Sequence, residues 1–130
     1  MLWEMVVEWA WIETVFIYHQ YINSFVFAVY KSEKFDKLVN KLLIKPEKEE
    51  LQRFIDELKA GNIVGQPLTF DFFREKKIGG ERVYFLVYPD EKIVLLVSAS
   101  NKKAQQDTID EIKKMIPEYR KIVEKIVSTS

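Results

Sequence analysis

The stretch LTFDFFREKKIGGERVYFLVYPDEKIVLLVS, from Leu68 to Ser98, holds three runs rich in β-branched and aromatic residues, separated by two breakers. Residues 70–77 read as a strand, Ile78-Gly79-Gly80 as a tight turn where positive φ is expected, and 81–88 as a second strand. Pro89-Asp90-Glu91 turns the chain again before a third strand over 92–99. The spacing therefore predicts a three-strand antiparallel meander. Along the middle strand Val83, Phe85 and Val87 share a parity opposite to Arg82, so the arginine is expected to face away from the helices, toward solvent. Ile93, Leu95 and Val97 are expected to join them in one sheet–helix core with Phe35, Leu38, Phe54 and Ile55.

Upstream of the meander the period changes. Ser32 caps a helix over 33–43, in which Phe35, Leu38, Val39 and Leu42 fall at i, i+3, i+4 and i+7. Pro46 opens a second helix over 46–60 with Leu51, Phe54, Ile55 and Leu58 as its buried stripe, and Gly61 ends it. Glu47, Glu49 and Glu50 sit at the positive end of that helix and read as a solvated first turn, since nothing pairs with them at metal-ligand spacing. Gly65-Gln66-Pro67 reads as a polar connector. Downstream, Ser98 to Gln106 reads as an exit loop, and Thr108-x-x-Glu111 offers a capping box. Ile109, Ile112, Ile116, Tyr119, Val123 and Ile126 line a last helix that Pro117 is expected to kink or split.

The first thirty residues hold nine of the eighteen aromatics, including Trp3, Trp9 and Trp11. The segment lacks the basic start of a signal peptide, and Glu8, Glu13, His19 and Gln20 break its apolar runs below the ~18 residues of a membrane span. Val15–Tyr18 and Phe25–Tyr30 read as strands with Asn23-Ser24 turning between them, while 3–13 fits either a strand or a buried helix. His19 reads as a half-buried edge residue. The division expected is a hydrophobic extension over 1–24 and a domain over 25–130.

Across 130 residues, 20 basic and 20 acidic side chains cancel, so overall charge points to neither nucleic acid nor membrane. The first thirty residues carry three Glu and no Lys or Arg, which leaves the rest at 20 minus 17, or +3. No cysteine means no disulfide, Fe–S cluster or thiolate zinc site, and suits a cytoplasmic setting. One histidine builds neither a His-based metal site nor a Ser/His/Asp triad. No cofactor or metal is expected. The Lys/Glu-rich charged fraction of 31% resembles that of proteins from hot environments.

The order strand, two helices, three-strand meander and final helix, together with GERVYFLVY over 80–88 and DEKIVLLVSASNKK over 90–103, resembles the RelE/ParE-type toxins of toxin–antitoxin systems. The matching features are a Gly-x-Arg-hydrophobic strand, an Asp-Glu-Lys hairpin and a valine-rich strand ending in a basic pair. The resemblance covers about residues 25–127. It implies an α+β, RelE-like fold whose antiparallel sheet carries an extra hydrophobic N-terminal strand or helix. It also implies an antitoxin protein as partner, with the ribosome and mRNA as further partners of an active toxin.

The reaction implied is ribosome-dependent mRNA cleavage by a metal-independent endoribonuclease. A ribose 2′-OH attacks the neighbouring phosphodiester, which requires a base, positive charge for the phosphate and an acid for the leaving oxygen. Carried over by residue, Arg82 would hold the phosphate, Arg74 and Lys76 would form the basic pair of the preceding strand with Lys76 as base, and Lys103, after Lys102, would aid the leaving group. All four are expected to converge on one groove. Two departures stand against this. The tyrosine that several members carry beyond the basic pair is missing from Gln105-Gln106-Asp107-Thr108-Ile109, and residues 70–103 hold 7 basic against 5 acidic side chains, only +2. The alternative for Arg74, Lys76 and Arg82 is a strand face paired with Glu75, Glu81 or Asp71. The second functional reading is thus a catalytically silent RelE-fold protein that binds a protein partner or forms a homodimer through its aromatic N-terminal segment; a poison of DNA gyrase is a third.

Overall fold

The computed structural model describes residues 3–6 and 26–129. Among them the order is β1 (Trp3–Met5), β2 (Ala28–Ser32), α1 (Glu33–Leu42), α2 (Lys45–Lys59), β3 (Gln66–Pro67), β4 (Phe73–Ile78), β5 (Glu81–Tyr88), β6 (Ile93–Asn101) and α3 (Gln105–Thr129). The strands form one sheet in the order β1-β2-β6-β5-β4-β3. Every pair is antiparallel except β2 with β6, which run parallel because α1, α2 and the β3–β5 strands intervene and return the chain to the same end of the sheet. The expected strand at Val15–Tyr18, the Asn23-Ser24 turn and His19 lie outside the described residues.

The helix boundaries follow the capping chemistry. The Ser32 hydroxyl accepts from the Phe35 N–H at 3.0 Å and starts α1. At α2 the Glu47 carboxylate accepts from the Ile44 N–H at 3.0 Å, with Pro46 in the first turn. Gly61, at φ 87°, ends that helix: its N–H donates to the Leu58 carbonyl at 3.0 Å and that of Asn62 to Glu57 at 2.9 Å. This is the paired closure that a left-handed residue after a helix permits.

Several sequence expectations change. Residues 70–72 are a turn, not the start of a strand, because β3 folds back on β4 (Gln66 opposite Glu75, Pro67 opposite Arg74) and the chain must reverse between them. Pro67 is tolerated there because β3 is an edge strand. The last helix starts at Gln105 and runs unbroken through Pro117 to Thr129. Pro117 and Lys113 are both exposed, so the carbonyl that loses its donor faces water. Thr108 does not cap; it lies inside the helix and its hydroxyl donates to the Ala104 carbonyl at 2.8 Å. Asn101 takes the turn instead, its side-chain oxygen accepting from the Ala104 N–H at 2.9 Å.

A further change concerns the core, which is double. Val83, Phe85 and Val87 face α1 and α2 with Phe35, Val39, Leu51, Phe54, Ile55 and Leu58, whereas Ile93, Leu95 and Val97 face α3 with Phe73, Tyr84, Leu86, Ile109 and Val123. Val87 pairs with Val94, so Val94 and Leu96 fill the α1/α2 side and Ile93, Leu95 and Val97 must point the other way. A central strand buried on both faces is apolar at every position, and parity alone does not say which set faces which helix. Between Tyr84 and Phe85 the register slips: Tyr84 pairs with Ser98 and Phe85 with Leu96. Val97 is the additional residue, and the bulge brings Ser98 and Ser100 into register with Tyr84 and Arg82.

Gly65 is fixed by two demands at once. Its φ is 112°, and a Cβ there would lie 2.9 Å from the Phe85 ring and 3.0 Å from the Glu75 carbonyl oxygen. Gly65→Ala is expected to lower stability by roughly 1–3 kcal/mol, read as the midpoint of urea unfolding at unchanged slope. An unchanged midpoint would contradict the close approach of Gly65 to the Phe85 ring.

Burial raises the phenol pKa of Tyr30, Tyr84 and Tyr119, and that of Tyr88 to about 12. Each folded value lies above the unfolded value of 10.0, so this contribution to stability is whole below pH 10 and is lost as pH rises through the folded values. The tyrosinate absorbance of these residues is expected to appear together with loss of helical circular dichroism above that pH. Complete titration near pH 10 with the fold intact would be the opposite result.

Candidate functional site

The four basic residues implied as a catalytic set do not meet. The two-residue turn at Gly79-Gly80 places Ile78 opposite Glu81, and therefore Lys77 opposite Arg82, Lys76 opposite Val83 and Arg74 opposite Phe85. Directly opposed residues share a face. Arg82 accordingly lies on the α3 side, while Arg74 and Lys76 lie on the α1/α2 side. The expected convergence of Arg74, Lys76, Arg82 and Lys103 on one groove is not found, because this register sets Arg82 on the opposite face of the sheet from Arg74 and Lys76.

Each cation has a local task. The Arg74 Nε donates to the Asp71 carbonyl at 3.0 Å and its guanidinium to the Gly65 carbonyl at 3.2 Å, so it ties the β3–β4 connection together. The Lys76 ammonium stands 5.9 Å from the centre of the Phe54 ring. Lys103, like Lys102, is exposed in the turn that leads into α3.

Arg82 does not reach solvent as expected; it is 7% exposed, and so is Glu75. The Arg82 Nε lies 3.0 Å from Glu75 Oε1. Its N–H is not aimed at that oxygen, so the contact is ionic rather than a well-formed hydrogen bond. The guanidinium also donates to the Gly80 carbonyl at 3.3 Å. From the first turn of α3, Gln105 donates to the same Glu75 oxygen at 2.8 Å and closes the pair from above. Beside it the hydroxyls of Tyr84 and Ser100 are 2.8 Å apart, and that of Ser100 donates to the Asn101 carbonyl at 3.0 Å. The result is a polar strip under the start of α3, running from β4 across β5 to β6.

No family model matches the chain, and no curated protein matches it. Among solved structures, the chain is similar to a mutant of the E. coli toxin RelE in complex with a peptide of the antitoxin RelBc. The identity is 16%, over 67% of this chain and 94% of that one, with a TM-score of 0.49. It is also similar to the isolated E. coli RelE toxin, at 15% identity over 67% of this chain and 98% of that one, with a TM-score of 0.47. The described residues form an α+β architecture, with one six-stranded sheet and three helices of which the last is C-terminal. Among the described residues, no helix is long and apolar enough to cross a membrane.

Glu75 and Gln105 are the residues that sequence reasoning passed over as parts of the site. Glu75 stood only as one of several carboxylates flanking a basic face, and Gln105 only as a position where a tyrosine was missing. The parity depends on the turn: the expected turn over Ile78-Gly79-Gly80 sets Lys76 opposite Arg82, whereas Ile78 in fact pairs with Glu81, and odd-numbered positions of β4 then share a face with Arg82.

Proposed function

We propose that this RelE-like chain acts by binding a partner protein, of the antitoxin class that the resemblance implies, and does not itself cut RNA. The observation that carries the reading is the state of Arg82, buried against Glu75 and closed over by Gln105. Phosphodiester cleavage by cations needs several of them within reach of one phosphate in an open groove. Here the guanidinium nearest that role is neutralised, and Arg74 and Lys76 stand on the other side of a sheet. A group locked in a buried ion pair is also expensive to expose, since its carboxylate would be left behind without a counter-charge.

The test is inducible expression in a heterologous cell, scoring growth and mapping transcript ends. Growth at the rate of an empty-vector control and uncut transcripts are expected. Growth arrest with transcripts cut at the ribosomal decoding site, abolished by Arg82→Ala in protein that remains folded, would establish the ribosome-dependent endonuclease instead.

A further inference from the structure

We infer that the corner formed by Phe70, Phe72 and Tyr88 docks a partner segment that carries apolar anchors between basic side chains; this rests on the binding role proposed above and gives it a surface. Phe70 is 41% exposed, although Phe73, three residues on, is fully buried. Its ring stacks on Phe72 with centroids 5.2 Å apart and planes 9° apart, and Phe72 in turn meets Tyr88 at 6.4 Å.

The loop is tied at both ends. Leu68 donates to the Phe73 carbonyl at 2.9 Å, Phe73 to that of Phe70 at 3.1 Å, and Val87 of the neighbouring strand to that of Phe72 at 2.8 Å. The Arg74 side chain holds the Asp71 carbonyl as well. An aromatic pair held rigidly at the surface loses little conformational freedom when a partner covers it. Tyrosine, tryptophan and phenylalanine anchors of this kind are enriched at protein interfaces.

Charge selects the partner. Asp71 lies in the loop, and Asp90 and Glu91 lie in the β5–β6 turn beside Tyr88. The cation over the Tyr88 ring, Arg120, sits 2.8 Å from Glu91 and 3.6 Å from Glu124 and is offset by them. Arg120 takes up Glu91, Lys92 turns to the Phe27 ring on the α1/α2 side, and the Arg74 guanidinium is held by the Asp71 and Gly65 carbonyls. Asp71 and Asp90, which have no ion pair among the described residues, are left to make the rim acidic. A phosphate backbone or an anionic lipid surface is repelled there, whereas a segment with Lys or Arg beside Leu or Phe finds both of its needs met.

The probe is a fluorescein-labelled peptide of alternating lysine and leucine, titrated against the full chain by anisotropy, with lysine–serine and glutamate–leucine peptides and a single-stranded RNA as comparisons. Saturable binding of the lysine–leucine peptide alone is expected, weakened about tenfold by Phe70→Ser. The pair Asp71→Asn and Asp90→Asn is expected to weaken it severalfold, and added salt likewise. Because Phe70 is partly exposed, the Phe70→Ser chain is expected to melt as wild type does. On the unaltered protein, backbone amide shifts on peptide addition should concentrate at 68–72 and 88–91. Equal binding of either comparison peptide or of RNA, shifts centred elsewhere, unchanged affinity in folded Phe70→Ser, or self-association in place of peptide binding would each overturn the inference. The growth assay is read separately: cut transcripts would remove the silent reading, while the peptide titration alone decides whether this corner is a docking surface.

Discussion

Removing Glu75 is expected to be among the most damaging single changes to this chain. In Glu75→Ala the Arg82 guanidinium stays under α3 without its counter-charge, and Gln105 loses its acceptor. Stranding one member of a buried pair typically costs about 3–5 kcal/mol, a large part of the ~5–15 kcal/mol that holds a domain folded. Arg82→Ala is expected to fall in the same range. The double variant Glu75→Leu, Arg82→Met removes both charges and fills the strip with apolar volume, so most of the loss should return. Thermal and urea unfolding of the two single variants and the double variant, read as a double-mutant cycle, measures this directly. Losses that simply add would mean that the two charges do not depend on each other.

The second large effect lies on the opposite face of the sheet. Phe54 of α2 and Phe85 of β5 meet edge to face with centroids 5.2 Å apart, both buried. Truncating either to Ala is expected to destabilise by about 3–5 kcal/mol through lost burial and the cavity left behind. Their coupling should be ~0.5–1.5 kcal/mol beyond the area they bury. Phe85→Ala also removes the ring that closes on Gly65, so Gly65→Ala should cost less in that background than in wild type. Equal cost in both backgrounds would show that the positive φ, and not the ring, is what restricts this position.

The meander, the two amphipathic helices and their caps were legible because each rests on local chemistry: the Gly79-Gly80 turn, the Ser32 hydroxyl, Pro46, and the stripe Leu51, Phe54, Ile55 and Leu58. The assignment of Ile93, Leu95 and Val97 was not legible. In the run of five apolar residues over 93–97, IVLLV, both faces look alike, and the bulge at Val97 shifts parity partway along β6. The unbroken course of α3 through Pro117 depends on which side of the helix meets water, a tertiary fact. The candidate site was half legible. Arg82 was found, and its parity was read correctly as opposite to Val83 and Phe85. Its burial was missed because nothing local says that the first turn of α3 will settle over it. The face shared by Glu75 and Arg82 hangs on one residue of turn length: a turn over Ile78-Gly79-Gly80 sets Lys76 opposite Arg82, whereas the two-residue turn that forms sets Lys77 there and puts Glu75 on the Arg82 face.

Whether Arg82 is a structural partner of Glu75 or a catalytic cation is decided in cells by wild type against Glu75→Leu, Arg82→Met, with folding of the double variant verified by its melting curve and transcript ends mapped in both. The same growth and the same uncut transcripts are expected for both proteins. Cleavage by the wild type that disappears in the folded double variant would contradict that expectation.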